Sequence, residues 1–169
     1  PTVRSGRLVA SYVKRPTRMA EGLMIPFANY VQDDYHSCGF LASLMVAKYF
    51  HPRIRDETVL VAVRPSVNYG TSQRKIITGL AELDITARYR DDLTVDHLRS
   101  YVSVGVPVII SVWPDGWEGD HWVVVAGFPG RAVRLTNHTT LNLRSFRRQW
   151  VENWGEDTDL GAGLVCTRS

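Results

Sequence analysis

Long apolar runs are missing from this sequence. None approaches the ~18 consecutive apolar residues of a membrane-spanning helix, so no membrane segment is expected. The N-terminal stretch lacks the apolar core of a signal peptide. The chain begins with Pro1 rather than Met, and the expectation is a fragment or a processed form. Cysteine is scarce, with only Cys38 and Cys166 among 169 residues. Two cysteines do not make a disulfide framework, and a reducing, cytoplasmic compartment is the simpler expectation. No CxxC or HxxxH spacing occurs. Neither a metal nor another cofactor is therefore expected, although His36, Cys38, His121 and His138 are of ligand type.

Acidic residues are absent from two stretches. Residues 1–20 carry Arg4, Arg7, Lys14, Arg15 and Arg18 with no acid, and residues 122–151 carry Arg131, Arg134, Arg144, Arg147 and Arg148 with none. Ordinary solvated faces account for such runs first, and a basic surface for an acidic partner or substrate is the functional reading. The net charge of +3 is too small to imply nucleic acid, and basic residues do not interleave with aromatic ones at a useful spacing. A hydrophobic fraction of 44% with 22% charged residues fits one globular domain with a sizeable core.

What is present has an order. Residues 1–24 are basic and weakly patterned, and read as an arm lying along a domain of residues 25–169. Cys38 to Phe50 is apolar on most faces, which predicts a buried helix ended by His51-Pro52. Shorter helices are expected over 56–63, from Thr71 or Ser72 to Leu83, and from Asp92 or Thr94 to about Val102. After Gly105 the pattern turns strand-like, over 106–112, 121–128, 131–136 and 163–167, with a helix at 144–150. Helices followed by strands predict an α+β domain, its N-terminal helices packed on a C-terminal antiparallel sheet.

Four residues stand out along that order. Cys38 sits where the polar run Gln32-Asp33-Asp34-Tyr35-His36-Ser37 meets the apolar helix. A thiol there lies in a first helical turn, whose free N–H groups and dipole favour the thiolate. A lone cysteine is more often an inert core residue, and that is the reading for Cys166. His121 opens the run Trp122-Val123-Val124-Val125 and could serve as base, or simply as a structural histidine at a strand edge. Asn137 follows the strand-like run 132–136 and could orient that imidazole, or only form a turn. Gln32 could be a solvated loop amide or an oxyanion donor, worth roughly 3–4 kcal/mol in the transition state. Singly, each favours the plainer role. Together, the order amide, thiol, imidazole, amide is that of papain-like cysteine hydrolases. Gly39 would let a substrate approach closely. Trp113 and Trp117, in the loop before His121, and Trp122 beside it are candidate substrate contacts. Asp120 should point to the face opposite His121 by strand alternation, and is not assigned the orienting role.

The chain resembles the bacteriocin-processing, double-glycine-leader cysteine peptidases and their stand-alone relatives, over about residues 25–150. The resemblance lies in Ile25-Pro26-Phe27, in Gln32 followed after five residues by Cys38-Gly39, and in Gly105-Val106-Pro107-Val108-Ile109. It continues through His121 to Val125, Asn137, and Phe146-Arg147-Arg148-Gln149-Trp150. It implies a papain-like fold, a peptide or protein substrate, Cys38 as nucleophile, His121 as general base and acid, and Gln32 as oxyanion donor. Asn137 stands where the family usually has Asp, and Phe40 and Leu41 stand where it has small residues or Pro. The 31 residues before Gln32 exceed those of transporter-fused members, which favours a stand-alone relative. Two other outcomes stay open. One is deamidase or transferase chemistry at the same thiol, and the other is a non-catalytic peptide-binding domain.

Overall fold

The computed structural model describes residues 24–169, except 28, 29, 31, 33, 35, 67, 117, 118, 137, 138 and 151–159. The expected basic arm therefore lies outside the described residues, apart from Met24. The chain runs through α1 (Cys38–Phe50), α2 (Asp56–Val63), α3 (Gln73–Ala81), β1 (Ile85–Leu93), α4 (Val95–Ser103) and β2 (Val108–Val112). It continues with β3 (His121–Gly127), β4 (Ala132–Leu135), β5 (Thr140–Asn142), α5 (Leu143–Trp150) and β6 (Gly161–Arg168). The strands form one antiparallel sheet in the order β1-β6-β2-β3-β4-β5. The domain is α+β, as its element order suggested.

Alternation divides the sheet residues between two cores. Ile85, Ala87, Ile109, Val124, Leu164 and Cys166 face α1, α2 and α3. Val108, Ile110, Val112, Val123, Val125 and Val165 face α4 and α5 on the other side. A sheet covered on both faces needs apolar residues at consecutive positions, which is why β2 and β3 read as unbroken runs. The sequence pattern anticipated helices on the sheet but not that they would cover both sides.

Local chemistry sets the helix limits. The N–H of His51 closes α1 on the Ala47 carbonyl at 2.7 Å, just before Pro52. Arg64 ends α2 in the left-handed region at φ 51°, and Pro65 follows. Ser72 caps α3 by accepting from the Lys75 N–H. Thr94, not Asp92, opens α4: its Oγ1 accepts from the His97 N–H at 3.1 Å while its own N–H donates to His97 Nδ1. At the far end, the Trp150 ring stacks on Phe146 with centroids 5.2 Å apart and donates from Nε1 to the Ala162 carbonyl. A Cβ on Gly161 would lie 2.5 Å from that indole, so a glycine is what lets α5 close on β6.

Gly79 plays the same part between α2 and α3. A Cβ there would lie 2.6 Å from Val63 Cα and 2.9 Å from the Ala62 carbonyl oxygen, backbone atoms that cannot rotate aside. Gly79→Ala gains about 1 kcal/mol of helix propensity and loses about 1–3 kcal/mol to overpacking. Urea unfolding should show a net loss, and a stabilised variant would mean that the two helices separate freely.

Candidate functional site

The site forms where α1 meets an edge of β3 that β4 leaves open. Pairing of β4 with β3 begins at Val125 opposite Leu135. Upstream, the Val124 N–H is satisfied by the Thr136 hydroxyl at 3.0 Å, and the Thr136 N–H donates back to the Val124 carbonyl. N–H groups two apart along a strand point to the same edge. The next one, from Trp122, favours negative charge on the sulfur of Cys38 in the first turn of α1. The N–H groups of Gly39 and of Cys38 itself act in the same direction.

Cys38 and His121 are both buried, at 8% and 5% of their exposed area. Burial pushes the Cys38 thiol above its ordinary 9.0, against the three N–H groups that pull it down; the Asp120 carboxylate adds to the rise. The helix-terminus argument therefore has the right sign but the smaller effect: desolvation outweighs it. Burial holds the His121 imidazole below its ordinary 6.5, with Asp120 opposing. At neutral pH both rest uncharged. Cys166 also has a free thiol, fully buried, and is pushed up to about 12 by burial.

The loop ahead of Cys38 is held by Asp34, which sequence reasoning passed over. Its Oδ1 accepts from the N–H groups of His36 and Ser37, both at 2.7 Å. Burial pushes this carboxyl up, but the N–H donors together bring it below the usual range. A polar Asp three residues before the helix N-cap Ser37 was the available signal. Gln32 donates its side-chain amide to the Asp34 carbonyl. An amide has two N–H donors, so this bond engages one of them.

The candidate contact residues divide. The space beside Gly39 is filled by this chain itself: an added Cβ would lie 2.7 Å from Thr71 Cβ and 3.1 Å from Trp122 Cδ1. Thr71 is thus a neighbour of Gly39 in the first turn of α1, where sequence reasoning offered it only as a possible helix cap. Trp113 is half exposed, and its N–H donates to the Gln149 carbonyl at 2.8 Å. Asp115 in the same loop accepts from Arg148 at 2.5 Å and from Gln149 at 3.3 Å, which ties that loop to α5. Asn137 and Trp117 lie outside the described residues. Asp120 Oδ2 accepts from Ser111 Oγ at 3.0 Å; Ser111 pairs with Trp122, which puts this carboxylate on the Trp122 side as alternation required. Among the described residues, no group of three or more His, Cys, Asp or Glu side chains could hold a metal ion, and no helix is long and apolar enough to cross a membrane.

Alkylation by iodoacetamide follows thiolate content. The rate at Cys38 should still be rising at pH 9, and Cys166 should stay unlabelled until the protein unfolds, as read by peptide mass spectrometry. A plateau for Cys38 below pH 8 would mean that the N–H groups outweigh burial.

No protein-family model matches the sequence, and no curated protein matches it. Solved structures do match in fold. The chain is similar to a double glycine motif protease from an AMS/PCAT transporter, solved in complex with the leader peptide, with a TM-score of 0.65 at 18% identity. That match covers 93% of this chain and 100% of the other. The peptidase domain of Streptococcus ComA, a bi-functional ABC transporter, matches with a TM-score of 0.62 at 18% identity, over 87% of this chain and 98% of the other. The N-terminal peptidase C39 like domain of a toxin secretion ATP-binding protein from Vibrio parahaemolyticus matches at 0.58 and 10%, over 80% and 100%. The structural neighbours of this chain are C39 peptidase domains, and its fold is the papain-like α+β fold that they share.

Proposed function

We propose that this chain is a cysteine peptidase that cleaves a peptide or protein substrate through a thioester on Cys38. The observation that carries the reading is the placing of two buried groups: the Cys38 thiol in the first turn of α1, and the His121 imidazole one residue along β3 from Trp122, whose ring packs against Gly39. The backbone N–H groups near this sulfur favour the negative charge of attack. The fold shared with C39 peptidase domains supports the same chemistry.

In this reading the neutral His121 takes the Cys38 proton as the sulfur attacks the substrate carbonyl. The oxyanion is held by the Cys38 N–H and by the Gln32 amide hydrogen not engaged with Asp34. Asn137 orients the imidazole. The peptide C–N bond then breaks, the amine leaves with the proton from His121, and water hydrolyses the thioester. Trp113, Trp117 and Trp122 line the approach, and Gly39 keeps α1 close against Trp122. The two free cysteines suit a reducing compartment such as the cytoplasm. The Arg131, Arg134, Arg144 and Arg147 surface would suit an acidic partner.

The test is Cys38-dependent cleavage of a peptide library, read by mass. A cut backbone indicates a peptidase, a Gln-to-Glu mass change a deamidase, and a conjugate a transferase. Cys38→Ala should abolish cleavage, and His121→Ala should lower kcat by about 10²–10⁴-fold. His121 must be neutral to accept a proton. Its depressed pKa therefore predicts that kcat/KM falls on the acid side with a midpoint below 6.5. A midpoint above 6.5, or cleavage that survives Cys38→Ala, would contradict the reading.

A further inference from the structure

A groove of about 180 Å³ opens beside the start of β3, with Gln73 of α3 in its wall. Its lining includes Gln73 from the start of α3, Tyr89 from β1, Ala162 from β6, Ser111 from β2, and Asp120 and Trp122 at the start of β3. Trp122 is a shared wall. One edge of its indole lies against Gly39 of α1, and the same side chain lines the groove. A ligand in the groove therefore sits about an indole's width from the first turn of α1.

Asp120 is the only charged residue among those described in the lining. It is exposed, and no ion pair among the described residues engages it. Ser111 holds one carboxylate oxygen, Oδ2, at 3.0 Å, which fixes the group and leaves Oδ1 for a ligand. Tyr89 and Trp122 supply aromatic faces nearby. A steadied carboxylate with aromatic walls is the chemistry that recognises a guanidinium or an ammonium group.

We propose that Asp120, held by Ser111, forms a subsite for a basic side chain of the peptide substrate next to the nucleophile. The substrate rests on the hydrolase reading above; the charge of the site does not. The subsite would also act on the reaction. The free Asp120 carboxylate opposes charge on the Cys38 sulfur. A bound guanidinium or ammonium group cancels that opposition at the moment the thiol must ionise, so the matching substrate helps to activate the nucleophile.

The first arm of the test maps Cys38-dependent cuts in a proteome-derived peptide library. A cut sequence is then made as twins that differ only by arginine or the neutral citrulline. Arginine or lysine should recur at one fixed distance from the cut. The arginine-to-citrulline ratio of kcat/KM should be about fivefold, near the upper end for an exposed ion pair, and should fall towards one in Asp120→Asn but not in Asp120→Glu. Cuts without a basic preference, or a ratio unchanged in Asp120→Asn, would overturn the subsite and leave the hydrolase reading standing. If no Cys38-dependent cut occurs, the hydrolase reading fails, and the second arm decides on the charge. That arm compares Cys38 modification by trimethylammonioethyl and sulfonatoethyl methanethiosulfonates. A cation preference that shrinks by about threefold or more in Asp120→Asn supports a cation site beside the thiol, and equal preferences in both proteins rule it out.

Discussion

The structure depends on one open edge. Because β4 joins β3 only from Val125 onward, the first residues of β3 present N–H groups with no strand to receive them. Buried N–H groups need partners, and here the Thr136 hydroxyl supplies one for Val124. The first turn of α1 packs against this edge, with Gly39 beside Trp122. Gly39 then has to be small, because Thr71 and Trp122 occupy the space its side chain would take. Strand length, helix register and residue size all converge on the same few atoms.

The same convergence sets the electrostatics. A thiol that receives three N–H groups would be acidic at a surface, yet burial prevails and holds it protonated. His121 is held neutral by the same cause. In the proposed reaction a pair that rests uncharged moves its proton during attack, and the N–H groups are then in place for the charge that appears. Desolvation raises the cost of the ground-state thiolate, while fixed donors lower the cost of the transition state without reorganisation. Asp120 lies within electrostatic range of both groups and raises the pKa of each.

Much of this was legible in the chain. The buried helix after Cys38, the helix over 56–63, a helix start at one of the two offered residues, Thr94, and the apolar β2 and β3 runs follow from local chemistry. β1 was not anticipated. It is a sheet edge, and only Ile85, Ala87 and Leu93 are buried among Arg88, Arg90, Asp91 and Asp92, so its alternation is half hidden by charge. The second covered face was also missed, because an apolar run does not say how many sides bury it. In the site, Cys38 and His121 were visible at boundaries between polar and apolar runs. Thr71 was not, since its role comes from tertiary contact with Gly39. The direction of the thiol's pKa was misjudged for a similar reason: a helix terminus can be read from sequence, but the depth at which it is buried cannot.

In the proposed reaction, Cys38 carries the acyl group between attack and release. Acid quenching within milliseconds of mixing with a cut peptide, followed by mass spectrometry of the protein, tests it most directly. The account predicts a transient adduct on Cys38 with the mass of the N-terminal fragment as an acyl group, labile to hydroxylamine and absent from Cys166. Product formed with no adduct on Cys38 at any time, and at an undiminished rate when that thiol is alkylated, would contradict it.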